Sequence, residues 1–115
     1  FRKAQSDLDV GLAFNMEDDD YIDIVASTLQ KLLREFQPDL VLYDAGVDVW
    51  EHDELGKLNI SWKGIEDRDR LVIETCLKQG IPIATVIGGG YDKDHERLAQ
   101  RHAIVIEQAH ALINK

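Results

Sequence analysis

The chain has a single cysteine, Cys76, so no internal disulfide can staple it. Basic residues are scarce: 13 lysines and arginines against 22 acids leave a formal charge of -9, which repels phosphate backbones and anionic lipid. No apolar run approaches the ~20 residues that a membrane helix needs, and no basic-then-apolar leader pattern opens the sequence. Nucleic acid and membrane are therefore not expected as partners, and a cytoplasmic setting is. The glycines at 88–90 invite a phosphate-loop reading, but they fit neither G-x-G-x-x-G nor G-K-[ST]. His52, His95, His102 and His110 form no H-x-H, no H-E-x-x-H and no adjacent pair, so a histidine dyad is missing too. An initiating methionine is also absent, and the start at Phe1 reads as a cut through a longer protein.

At 115 residues, 44% apolar and 30% charged, the chain reads as one globular domain spanning 1–115. Ser6 to Leu12 alternates polar and apolar positions as a half-buried strand does. Acids at 17–20 then precede Tyr21, Ile22, Ile24, Val25, Leu29, Leu32, Leu33 and Phe36 at helical spacing. Those acids suit capping of the helix start and its dipole. Pro38 closes that helix, and Leu40 to Tyr43 is an apolar run of the kind buried on both faces of a parallel sheet. Ser61 can cap a second helix carrying Ile65, Leu71, Val72 and Leu77, which Gly80 ends; Cys76 lies on its apolar side as a structural thiol. Ile81 to Ile87 is the next buried strand, and a last helix from about Asp94 to Ile113 turns Leu98, Val105, Ala109 and Leu112 inward. His102, near that stripe, suits a core histidine with one hydrogen bond.

Strand, helix and strand within so short a stretch make a βαβ unit, whose strands run parallel with a right-handed crossover. Both exit loops then leave the same rim of the sheet, where open α/β sheets bind ligands. One loop carries Asp44, Asp48, Glu51, His52 and Asp53, a density of acid that suits a cation or simply solvent. The other carries Gly88, Gly89, Gly90 and Tyr91. There the turn either brings a phenol to a developing oxyanion or leaves a tyrosine in water, and spacing does not separate the two.

Taken together, the run Pro38 to Asp48, the run Asp53 to Leu58 and Gly88-Gly89-Gly90-Tyr91 resemble the carboxyl-terminal third of the histone deacetylase superfamily, closest to its bacterial and class IV branch. Ser6 to Leu12 and Leu98 to His102 fit the same branch. The resemblance implies a three-layer α/β/α fold with a mainly parallel sheet, of the arginase/deacetylase type, of which this chain is the carboxyl-terminal portion. It makes Asp48 one of three zinc ligands, Tyr91 the phenol that polarises the amide carbonyl, Gly88 to Gly90 the channel for the acyl chain, and Asp53 a supporting acid. The substrate implied is acetyl-lysine or a similarly acylated amine.

The family's other two zinc ligands and its paired histidines have no counterpart here: Gly11 stands where a ligand histidine would follow Asp9-Val10. A catalytic zinc needs about three protein ligands, so the chain alone is expected to hold no zinc and hydrolyse nothing. Missing neighbours would also bare part of the sheet, so self-association is expected. The rival is a response-receiver domain, since Gln37 to Asp44 resembles its phosphorylated strand with Asp44 as phosphoacceptor. Poor strand character at Ala13 to Met16 and glycines directly after Ile87 oppose it.

Overall fold

Residues 6–114 are described by the structure, a computed structural model. Phe1 to Gln5 and Lys115, and with them the chain start considered above, lie outside the described residues. The element order is α1 (Asp18–Phe36), β1 (Val41–Asp44), α2 (Trp62–Lys78), β2 (Ile83–Val86), α3 (His95–His102) and α4 (Ile104–Ile113). The strands pair in parallel, with Val41 opposite Ile83 and Asp44 opposite Val86, and α2 supplies the crossover between them. The chain is thus α/β, with the βαβ unit that its pattern implies. Among the described residues no helix is long and apolar enough to cross a membrane.

Local chemistry sets the boundaries. Gln37 takes a left-handed conformation at φ 44° and returns its N–H to Leu33 O, just before a proline that cannot continue the helix. Ser61 Oγ accepts the Gly64 N–H and so caps α2, while Gly80, at φ 70°, turns the chain back toward β2. The acids at 17–20 do less capping than expected: Glu17 is the N-cap residue but makes no side-chain cap bond. Asp18 instead accepts the Ser61 N–H at 2.8 Å and the Ser61 hydroxyl, joining the starts of α1 and α2. Asp18, Asp19 and Asp20 do occupy the first turn, where the helix dipole favours them.

Three expectations need correction. Ser6 to Leu12 forms no strand; Ser6 spends its hydroxyl on Leu8 O and Asp9, and Val10 and Leu12 stay exposed. Among the described residues β1 pairs only with β2, so alternation alone found no ladder to join. The last helix is two, broken at Ala103, where the chain changes the face it buries: Arg101 goes inward on α3, and the adjacent pair Ile104 and Val105 on α4. The strands, finally, are buried on one face only. Tyr43 and Ile83 pack on Ala45, Ile73 and Val105, whereas Leu42 is 73% exposed and Val86 53%. Of the layers expected around the sheet, the one over Leu42 and Val86 is not among the described residues.

Two apolar clusters fill the interior. The larger gathers Tyr21, Val47, Trp50, Ile60, Ile65 and Ile104; the smaller gathers Ala45, Ile73 and Val105. Each fully buried aliphatic side chain contributes about 1.5–3 kcal/mol. Ala45 and Val47 are alternate residues of the turn after β1, so that turn is rooted in both clusters at once. Cys76 is fully buried, as expected of a structural thiol, and burial pushes its pKa up. Leu77, assigned inward from periodicity, is 45% exposed, and Ile73 takes the inward place instead.

Candidate active site

The loops after β1 and β2 meet at one rim, as the parallel crossover requires. Beyond the last strand pair, the Ala45 N–H donates to Val86 O at 2.9 Å and the Val47 N–H to Gly89 O at 2.7 Å. The two exit loops therefore continue the ladder into the turns themselves. Asp44 and Asp48 project from the first turn toward the glycines of the second. A methyl at Gly88 would fall within 1.8 Å of Asp44 Oδ1, and one at Gly89 within 2.5 Å of Asp48 Oδ2. These glycines make room for carboxylates as well as for a turn. Gly90 has the backbone reason, at φ 154°, and lies against Val47, Leu98 and the ring of His102.

Asp53 is buried, 7% exposed, and holds the second loop to the first. Its Oδ2 accepts the Tyr91 N–H at 2.8 Å while its Oδ1 accepts the Leu55 N–H at 2.9 Å. A charged acceptor makes such bonds worth about 1.5–3 kcal/mol each. Tyr91 stays 41% exposed, and Asp48 is exposed as well. Gly56 is needed here as well, since a methyl there would lie 2.1 Å from the Asp48 carbonyl oxygen.

Beyond Tyr91 the chain is anchored again. Asp92 Oδ2 accepts from Arg97 Nε at 2.9 Å and Arg101 Nη1 at 3.0 Å, and Asp92 Oδ1 accepts the Asp94 N–H at 2.9 Å. The Asp94 N–H first, then Arg97 and Arg101, hold the Asp92 carboxyl down at about 2. Asp94 in turn caps α3 by accepting the Arg97 N–H, where the sequence placed the helix start. His102, expected as a core histidine with one hydrogen bond, is only half-buried, and its buried Nδ1 has no hydrogen-bond partner.

Sequence reasoning missed the polar hub under the β1 turn. Arg68 and Asp69 are both buried and ion-paired at 3.0 Å. Arg68 Nη1 donates to Gly46 O at 2.7 Å and to the Tyr21 hydroxyl at 3.2 Å, and the Tyr43 hydroxyl donates to Asp69 Oδ1 at 2.5 Å. Burial raises the Asp69 and Tyr43 pKa values. Burial alone would lower that of Arg68, but the oxygens of Tyr43, Tyr21 and Asp69 outweigh it and the net direction is up. One signal was available: Arg68 and Asp69 continue the stripe of Ile65, Val72 and Cys76 at helical spacing, which places charge on the inward face.

Carboxylate is the only metal-ligand chemistry that Asp48 offers, and a catalytic zinc takes about three protein ligands. Among the described residues no group of three or more His, Cys, Asp or Glu is placed to hold a metal. These residues by themselves do not fit a zinc ion.

Comparison with known proteins adds the family. The histone deacetylase domain matches residues 2–108. An uncharacterized protein of Picosynechococcus is 49% identical over 104 residues, covering 90% of this chain and 35% of its own length. Histone deacetylase 2 of Arabidopsis thaliana is 39% identical over 80 residues, covering 70% of this chain and 21% of its own. Histone deacetylase HDAC1 of Drosophila melanogaster is 32% identical over 84 residues, 73% of this chain and 15% of its own. The chain thus spans about a third or less of the curated relatives it matches. With the domain matched over nearly every residue and the Asp48 and Gly88–Tyr91 turns folded against each other inside that span, the chain belongs to the histone deacetylase family.

Proposed function

We propose that this chain is the carboxyl-terminal portion of a larger zinc-dependent deacetylase domain that hydrolyses acetyl-lysine or a similarly acylated amine in the cytoplasm. In this reading Asp48 is one zinc carboxylate and Tyr91 the catalytic phenol, with Gly88, Gly89 and Gly90 along the acyl channel and Asp53 in support. The observation that carries it is the joining of the two turns: Val47 to Gly89 and Asp53 to Tyr91, so that a carboxylate and a phenol leave adjacent strands at one rim.

Tyr91 has a role that needs only its own hydroxyl. As the attacked carbonyl gains negative charge, a phenolic O–H aimed at that oxygen donates to it, and the bond is stronger in the transition state than in the ground state. Asp53 fixes the backbone from which the phenol projects, so the ring reaches out without the main chain drifting. Because the described residues offer too few ligands, zinc would need ligands from the rest of the domain, and in this reading the 115-residue chain alone holds it feebly and hydrolyses nothing.

The bare sheet face gives the chain a second property. Leu42, opposite Ala84, and Val86, opposite Asp44, both lie exposed on it, with Leu40 and Ile87 also exposed, and a second copy of the chain covers that surface.

An acetyl-lysine peptide assay tests the reading. The isolated chain shows no turnover, whereas the intact enzyme turns over and loses about 100-fold or more in kcat with Tyr91→Phe, the size of effect seen on removing an oxyanion donor. Turnover by the isolated chain, or full activity in the intact Tyr91→Phe variant, overturns it.

A further inference from the structure

We infer that Arg101 is a positioning residue that sets the spacing between the Asp48 turn and Tyr91 by gripping a neighbour of each. The inference rests on the roles proposed above for those two residues. Arg101 comes from α3 and its side chain is completely buried. Its guanidinium carbon sits 3.9 Å from the centre of the Trp50 ring, and its Nη1 bonds Asp92 Oδ2 at 3.0 Å. Trp50 is two residues beyond Asp48, and Asp92 directly follows Tyr91. One rigid, planar cation therefore touches both loops at once.

The cost of that placement argues for a purpose. Nε and Nη2 of Arg101 are buried with no hydrogen-bond partner, so the group is held by one carboxylate and one ring face alone. An apolar side chain would fill the space without stranding those donors. What it would not do is join Trp50 to Asp92. Lysine fails for a different reason: its ammonium is a point charge, unable to lie flat on an indole and hold a carboxylate in the same plane.

Arg97 supplies an internal control. It makes the same two contacts from the surface, 5.3 Å from the Trp50 ring and 2.9 Å from Asp92, with its side chain 53% exposed. A solvent-screened copy of the contact contributes little to geometry, so Arg97→Lys is expected to be silent where Arg101→Lys is not.

Amide hydrogen exchange on the 115-residue chain is the first measurement. Arg101→Lys is expected to speed exchange at the Tyr91 amide about tenfold while the amides of α2 keep their rates, a local opening and not a global one. Arg97→Lys leaves both unchanged. Should Arg101→Lys fail to fold, Asp92→Asn weakens the same link by removing its negative charge and is expected to reproduce the Tyr91 effect. In the intact enzyme, with an acetyl-lysine peptide, Arg101→Lys lowers kcat about tenfold with KM within about twofold, a loss confined to the transition state. Unaltered Tyr91 exchange in a folded Arg101→Lys or Asp92→Asn chain overturns the inference. If instead Tyr91→Phe proves fully active, the proposed role of Tyr91 fails while the exchange result still decides whether Arg101 positions that loop.

Discussion

The Tyr91 N–H donates to Asp53 Oδ2 at 2.8 Å, across 38 residues of chain. The bond makes a buried carboxylate the fastener between two turns that come from different strands. Asp53→Ala strands two donors, the amides of Tyr91 and Leu55, and is expected to cost about 2–4 kcal/mol. Urea unfolding of the pair of proteins measures it. A change below about 0.5 kcal/mol, the range of ordinary surface substitutions, contradicts the fastening role.

Gly89 and Gly56 both face Asp48, but from different sides. A methyl at Gly89 meets Asp48 Oδ2 at 2.5 Å, the end of a movable side chain, whereas one at Gly56 meets the Asp48 main-chain oxygen at 2.1 Å. Gly89→Ala is therefore expected to keep stability within about 1 kcal/mol and shift the carboxyl-carbon NMR signal of Asp48. Gly56→Ala has to move backbone and costs about 1–3 kcal/mol. Equal stability of the two variants in thermal melts would contradict this ordering.

Asp92 gives the acid limb of the stability curve a specific source. Its carboxyl is held down at about 2 by the Asp94 N–H, Arg97 and Arg101, against about 3.9 in an unfolded chain. A depressed folded pKa means that the contribution is complete above about pH 4 and drains away as pH falls toward 2. Melting temperatures from pH 2 to pH 6 are expected to show Asp92→Asn well below the parent at pH 6 and the two curves converging near pH 2. Parallel curves would remove Asp92 from the account.

Leu42, at 73% exposure in a strand, is the most exposed apolar residue of either strand on the bare sheet face. Sedimentation velocity of the 115-residue chain is expected to show self-association that rises with concentration, and Leu42→Glu is expected to abolish it by placing charge in the interface. A parent chain that stays monomeric at high concentration sinks the pairing of two copies.

Much of this molecule is legible residue by residue. The stripe from Tyr21 to Leu33, the cap at Ser61, the turn at Gly80 and the two apolar runs locate α1, α2, β1 and β2. From strand, helix and strand comes the shared rim, and from the rim the pairing of the Asp48 and Tyr91 turns. Two of the failures are of one kind. Alternation in Ser6 to Leu12 signalled a strand, but a strand exists only where a neighbour accepts its hydrogen bonds. Uniform apolarity at Leu40 to Tyr43 signalled burial on both faces, yet the second face has nothing over it among the described residues.

By itself, then, the sequence determined the order of α1, β1, α2 and β2, the parallel crossover and the rim at which the acidic and glycine turns emerge, because periodicity and turn chemistry act over a few neighbouring residues. Only the tertiary structure decided which charges are buried and whom they hold: Arg68 on the Gly46 carbonyl, Asp18 on Ser61, Arg101 between Trp50 and Asp92. Side-chain hydrogen bonds and ring contacts reach only a few ångströms, so residues distant in sequence become partners when packing of the apolar clusters brings them within that range.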